Sequence, residues 1–550
     1  MIDRRLSDRA FGPVLDRLLG LGESRTRRVE VRRDLAMPLP DGTTLATDHY
    51  RPVEVERGPV VLVRTPYDKN NIMSRAYGLG FSRRGLQVVV QDVRGTFGSG
   101  DDFEPFRHER ADGLATVSWI RDQHWCDGRV AMAGASYYGH TQWAVAPYAD
   151  PKLSAIALGI TASDFRPTFY PGGSVGWQQT LAWSASLGTQ QDRQRPWQRF
   201  GFHRRVSAAM STLPASRADL AAIGKPARFL HDILDHAGPD DHYWDHIDHG
   251  RHLAELDTPA SLVAGWYDIF LTRQLEDFTA LQGAGVPTRI TIGPWWHGQP
   301  ASLRVVFCDQ LDWLTGHLLD DPLILNRPPV RLFLQGADRW LDFDRWPVDT
   351  AARDLYLAAD GTLRSEIPTS AANRAFRYDP ADPTPTVGGA LLNAVGGQFD
   401  NRKVEARDDV LTYQTEPLVA DLDVIGKSSA EVHLLSDHGD TDVFVRVCDV
   451  GPGGRSLNVI EGIRRLRPGD PVEDDHGVRR VGVELVPTAY RFLRGHRIRV
   501  QVSGGAFPNY IRNHQTGEAV ATASRSVPGR TQILHGPDHP TKIALPVFGG

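Results

Sequence analysis

Residues 129–143 read RVAMAGASYYGHTQW, and they restrict the architecture more than any other stretch of the chain. An apolar run, Val130 to Ala133, leads into the glycine-framed segment GASYYG, and a helix-compatible stretch, HTQWAVAPYA, follows at once. A serine placed between a strand and a helix, with small neighbours, reads as a nucleophile elbow of the G-x-S-x-G kind. Such a turn holds Ser136 at the edge of a parallel sheet. The start of the following helix then supplies N–H groups and a positive dipole end where an oxyanion develops. Strands and helices should therefore alternate around it.

They do. PVVLVRTPY (59–67) and LQVVVQDVRG (86–95) are short β-rich runs that end in polar turns, and ADGLATVSWIRDQ (111–123) has helical spacing. This is the βαβ rhythm of a mostly parallel sheet covered by helices. The rhythm stops near Asp164 and resumes at PASLVAGWYD (259–268) and TRITIGPWWH (288–297). The intervening stretch is rich in Trp, Gln, His and Arg at helical spacing and is expected to form a cap over the sheet edge. Beyond about residue 350 the pattern becomes one of short alternating runs, AEVHLLS (430–436), DVFVRVCDV (442–450) and HRIRVQVSG (496–504), separated by Gly, Pro and Asp. These predict an all-β sandwich or jelly roll. The expected division is an α/β-hydrolase unit over 1–163 and 252–350, a helical cap over 164–251, and a jelly-roll domain over 351–550.

A serine hydroxyl needs a base, and the base needs an orienting acid. In this architecture they follow the serine in the order acid, then histidine. Asp268 ends the run LVAGWYD and His297 ends ITIGPWWH, both where a sheet presents side chains to its catalytic edge. A helix over Gln274 to Gly283 fits between them. Ser136, Asp268 and His297 are thus the expected triad.

Composition limits the rest. A net charge of −5 on 550 residues does not point to nucleic acid or an anionic membrane. No apolar run approaches the roughly 20 residues that span a bilayer. Cys126, Cys308 and Cys448 lack metal-ligand spacing and are odd in number, which suggests reduced thiols in a cytoplasmic protein. The N-terminal stretch does not resemble a secretory signal. Its Leu6, Phe11, Val14, Leu15 and Leu18 share one helical face, expected to pack on the body or on a second subunit of a homodimer. The segment 231–252 is dense in His and Asp, with His242 and His246 four apart, but lacks the H-E-x-x-H pattern, so no metal is expected. GTFGSG (95–100) and GPGG (451–454) have no P-loop Lys-Ser/Thr pair and read as turns.

Several segments together resemble the bacterial cocaine esterase and X-prolyl dipeptidyl-peptidase (CocE/NonD-type) serine hydrolase family, most of all its esterase branch. They are RTPYDK (64–69), QDVRGTFGSG (91–100), GASYYGHTQW (134–143), GWYDIF (265–270) and GPWWHG (293–298). AWSASLGT (182–189), FRYDPADPTPTVGG (376–389) and GHRIRVQVSGGAFPNYIRN (495–513) extend the likeness to nearly the whole chain. The resemblance implies a small-molecule ester or amide substrate, no cofactor, and an oxyanion hole made by the Tyr67 hydroxyl and the Tyr137 N–H. Relatives acting on α-amino acid esters place an acid where this chain has Tyr138, which argues against an ammonium site. Around GGALLN (388–393) the cocaine-cleaving relatives carry an aromatic residue where Asn393 stands here, which argues against a benzoyl pocket. Phe270, Trp177, Trp183 and Leu392 are further candidates for the pocket wall. The expected activity is carboxylic ester hydrolysis. An X-prolyl dipeptidyl aminopeptidase, or an acyltransferase or cyclising enzyme using the same triad, is the alternative.

Overall fold

The computed structural model describes residues 4–192, 201–238, 241–392, 396–471 and 477–549. Ten strands form the first sheet: β1 (Val29–Pro38), β2 (Thr44–Pro52), β3 (Gly58–Thr65), β4 (Gln87–Asp92), β5 (Cys126–Ala135), β6 (Ile156–Gly159), β7 (Ala260–Tyr267), β8 (Thr288–Trp296), β9 (Val330–Leu334) and β10 (Arg339–Phe343). Their spatial order is β1-β2-β4-β3-β5-β6-β7-β8-β9-β10. From β4 across to β9 every pairing is parallel, while β1 and β2 at one end and β10 at the other are paired antiparallel.

The sheet is buried on both faces because its central strands are apolar at every step rather than at alternate ones. Val60 and Leu62 of β3 join Val130 and Met132 of β5 on one side, beneath the helices Glu109–Arg121 and Leu271–Gly283. Val61 and Val63 join Ala131 and Ala133 on the other, beneath Ile72–Ser82 and Pro300–Leu318. The helix between Asp268 and His297 starts one turn earlier than expected, at Leu271. The N-terminal helix Arg4–Leu19 also forms. Leu15 is buried, Phe11 packs partly, and Asp16 bridges Arg83 and Arg84. Leu18, expected on the same face, is 70% exposed. The Leu6 and Val14 side chains lie outside the described set.

Between β6 and β7 the chain forms helices, among them Trp177–Thr189, Phe202–Ala209 and Arg228–Asp235. Their apolar faces meet in a cluster that includes Phe106, Phe165, Phe169, Trp177, Leu230, Trp244 and Phe270. The rest is an all-β sandwich of antiparallel strands, one sheet of nine and one of four, closed on a core that includes Val432, Leu434, Val445, Val447, Val500 and Ile533. The alternating run 442–450 is strand Thr441–Val450, yet it is buried throughout, on both faces. Its outward face is covered because Arg446 is paired there with Glu461 (2.6 Å) and Asn401 (2.7 Å). Sandwich and first sheet share an apolar seam, where Ile425 and Ala489 pack with Trp266 and Leu334. No described helix is long and apolar enough to cross a membrane.

Candidate active site

The strand ends of the first sheet bring the site together. Ser136 follows β5 directly, with φ 57° and ψ −123°, a left-handed conformation forced by the reversal from strand into helix Tyr137–Trp143. The turn requires glycine at two places. At Gly134 a Cβ would lie 2.3 Å from the Cβ of Tyr138, and at Gly139 one would lie 2.4 Å from Thr161 Cγ2. The second small residue is therefore Gly139, one position later than the pentapeptide pattern places it, and Tyr138 occupies the pattern's last position.

Asp268 immediately follows β7 and His297 immediately follows β8. His297 Nδ1 is 2.9 Å from Asp268 Oδ2, and His297 Nε2 is 3.1 Å from Ser136 Oγ. The second carboxylate oxygen of Asp268 accepts the Phe270 N–H at 2.9 Å, which fixes the carboxylate plane. Both Asp268 and His297 are buried.

Tyr67 lies two residues beyond β3. Its hydroxyl accepts a hydrogen bond from Trp183 Nε1 at 2.9 Å. Burial raises its phenol well above the ordinary range, so the O–H stays protonated and able to donate. The Tyr137 N–H occupies the first position of its helix, where no intrahelical acceptor exists. The ring of Tyr137 is anchored: its hydroxyl accepts from Phe106 N (2.8 Å) and donates to Glu109 Oε1 (2.8 Å). Arg64 Nη1 holds the other oxygen of Glu109 at 2.7 Å. Burial raises the Glu109 carboxyl, opposed by Arg64. Arg64 belongs to the segment RTPYDK, but its buried partner lies 45 residues away, beyond the reach of local pattern.

A cavity of about 730 Å³ opens over Ser136. Tyr138, Phe270, Trp183 and Leu392, expected at the pocket, line it, together with Tyr67 and Tyr137, expected in the oxyanion hole. The Tyr138 hydroxyl is tied to Asn71 Nδ2 (3.0 Å) and Ser74 Oγ (3.2 Å). Phe270 meets the His297 ring edge-on at 5.6 Å between centroids. Leu392 comes from the sandwich part of the chain, and its backbone is gripped by the Gln178 side-chain amide through bonds of 2.6 and 3.0 Å. Trp177 does not line the cavity: its Nε1 donates to Met210 O at 2.9 Å within the helical cluster. Asn393 lies outside the described residues. Phe106, Phe165, Phe169 and Phe229 also line the cavity and had no sequence signal, because they come from three separate segments. Among the described lining residues none is Asp, Glu, Lys or Arg.

The histidines of 231–252 have separate partners, His231 with Asp219, His236 with Asp241 and His242 with Asp245. Gly95 N donates to Gly100 O at 2.8 Å, closing 95–100 as a turn.

A parallel-sheet scaffold with a serine, histidine and aspartate hydrogen-bonded in series at its strand ends defines a serine hydrolase of the carboxylesterase type. The family model described as X-Pro dipeptidyl-peptidase (S15 family) matches residues 41–299, and that of the X-Pro dipeptidyl-peptidase C-terminal non-catalytic domain matches residues 325–544. The cocaine esterase of Rhodococcus sp. (strain MB1 Bresler) is 35% identical over 94% of this chain and 98% of its own. The chain belongs to this cocaine esterase and X-Pro dipeptidyl-peptidase family. The same fold is seen in an aminopeptidase from the marine sediment archaeon Thaumarchaeota archaeon, with a TM-score of 0.81 at 24% identity over 96% of this chain and 98% of that one. It is seen again in an α-amino acid ester hydrolase, with a TM-score of 0.78 at 22% identity over the same shares.

Proposed function

We propose that this protein hydrolyses uncharged, apolar carboxylic esters through an acyl-enzyme on Ser136. His297 Nε2 removes the Ser136 proton as Oγ attacks the ester carbonyl. Asp268 holds the Nδ1–H tautomer and stabilises the imidazolium that forms. The oxyanion is received by the Tyr67 hydroxyl and the Tyr137 N–H. His297 then passes the proton to the departing alcohol oxygen, and water repeats the sequence on the acyl-enzyme. Catalysis is divided on this reading among a hydrolase unit (1–163 and 252–350), a cap (164–251) and a sandwich (351–550). The free cysteines fit a cytoplasmic location.

The observation that carries the reading is the hydrogen-bonded series Asp268–His297–Ser136 on the floor of a cavity whose described lining residues include no Asp, Glu, Lys or Arg. An ammonium moved from water into such surroundings without a partner loses hydration that nothing there replaces. The family description favours a second reading, release of N-terminal X-Pro dipeptides, and that reaction needs an anchor for a substrate amine. A panel of p-nitrophenyl esters, amino-acid esters and Xaa-Pro anilides, compared by kcat/KM, separates the two. Acyl esters should exceed both amine-bearing series by about 100-fold or more, the scale of an unpaired buried charge. A preference for Xaa-Pro anilides would overturn the esterase reading.

A further inference from the structure

The backbone of Tyr67 is held within its own loop, its N–H donating to Thr65 Oγ1 (3.0 Å) and its carbonyl accepting from Asn71 Nδ2 (2.8 Å), but its hydroxyl is held from elsewhere. The loop after β3 leaves the sheet at Thr65 and carries Tyr67 into the cavity with its hydroxyl as the only polar atom of the ring. A phenol O–H lies near the plane of its ring and can point to either side of the C–O bond, so its value as an oxyanion donor depends on what the oxygen accepts from. Here that partner is Trp183 Nε1, 2.9 Å from the hydroxyl oxygen. Indole N–H can only donate, so the Tyr67 oxygen is the acceptor and its own proton is directed away from Trp183. Donation into the phenol oxygen also polarises the O–H outward. This agrees with Trp183 partly offsetting the effect of burial on the Tyr67 phenol.

A second tie comes from the same helix. Just past its end, Gln190 Nε2 donates to Pro66 O at 3.0 Å, gripping the residue before Tyr67. The Trp183 ring is itself fixed, stacked on Phe106 at 5.5 Å and edge-on to Phe229 at 4.6 Å. The cap therefore holds the hydroxyl of the proposed oxyanion donor through Trp183 and the carbonyl of the residue before it through Gln190.

We infer that Trp183 is a positioning residue for catalysis, fixing the Tyr67 hydroxyl so that its proton faces the developing oxyanion, with Gln190 holding the loop beneath it. The inference rests on the proposed acyl-enzyme mechanism. It gives the cap a part in transition-state stabilisation as well as in enclosing substrate.

The test is a double-mutant cycle on p-nitrophenyl butyrate with Trp183→Phe, which keeps an aromatic wall and removes the N–H, and Tyr67→Phe. Trp183→Phe should lower kcat by about tenfold with KM nearly unchanged, short of the roughly 10²–10³-fold loss expected when an oxyanion donor is removed by Tyr67→Phe. In the Tyr67→Phe background the same change should cost less than about twofold, because there is no hydroxyl left to orient. Affinity for an alkylboronic acid that forms a tetrahedral adduct on Ser136 should fall in step with kcat. Gln190→Leu gives the same cycle if Trp183→Phe does not fold. Losses that multiply in the double variant, or that fall on KM, would overturn the positioning role and leave the triad reading intact. An unchanged kcat in Tyr67→Phe alone would remove Tyr67 from the oxyanion hole and the inference with it.

Discussion

At the scale of single residues the account rests on where protons sit. Asp268 contributes by selecting the His297 tautomer, so Asp268→Asn, which can donate to Nδ1 and favour the wrong form, should lower kcat by about 10⁴-fold with little change in fold. Steady-state kinetics beside a thermal melt check both halves of that statement. Glu109 has a different part. It is a buried carboxylate shared between Arg64 and the Tyr137 hydroxyl. Glu109→Gln leaves the Arg64 guanidinium buried without a counter-charge and should cost roughly 3–5 kcal/mol in urea unfolding. Ser136, Asp268 and His297 were legible in the sequence because each ends an apolar run, and the end of a strand is a place in space. Glu109 was not, because nothing local distinguishes a carboxylate that will be buried from one that will be solvated.

At the scale of elements, two turns decide the site. The elbow depends on Gly134, where a Cβ would sit 2.3 Å from that of Tyr138. Gly134→Ala should destabilise by about 1–3 kcal/mol, and kcat should fall more than KM rises, since Ser136 is displaced with the turn. The second turn returns the cap to the sheet. His249 N donates to Ser163 O, and Ser163 in turn bonds Asp277 through its own N (2.8 Å) and Oγ (2.6 Å). Burial, aided by the charge of Arg110, lowers His249 from 6.5 to about 3. The folded state thus prefers the neutral ring. That preference is fully present above pH 6.5 and is lost as the pH falls toward 3. His249→Asn should therefore lose less Tm than the parent between about pH 7 and pH 5 in melts at matched ionic strength. The cap also shows where sequence reading stops. Trp177 and Trp183 are six residues apart, so they point roughly 120° away from each other on one helix. Periodicity says that they face different ways, but not which face meets the cavity. Only the packing partners, Met210 for one and Tyr67 for the other, decide it.

At the scale of the whole molecule the site belongs to all three parts of the chain. The sheet supplies Ser136, Asp268 and His297, the helices between β6 and β7 supply Trp183, and the sandwich part sends Leu392 to the cavity wall, held by Gln178. Leu392→Ala should lower kcat/KM for short-chain esters by about tenfold while sparing longer ones that fill the space, as a p-nitrophenyl ester chain-length series would show. The order of these parts was readable from the change in hydrophobic period along the chain, from parallel-sheet runs to helical spacing to short alternating strands. Their convergence was not, since no period reports which loop of a sandwich reaches a cap helix 214 residues away. The central claim remains that Ser136 is the activated nucleophile at this convergence. A fluorophosphonate probe applied to the folded protein, with the adduct mapped by mass spectrometry, tests it most directly. The account predicts a single stoichiometric adduct on Ser136, abolished in Ser136→Ala together with roughly 10⁶-fold of the turnover. An unmodified Ser136 in folded protein, or ester hydrolysis retained by Ser136→Ala, would contradict it.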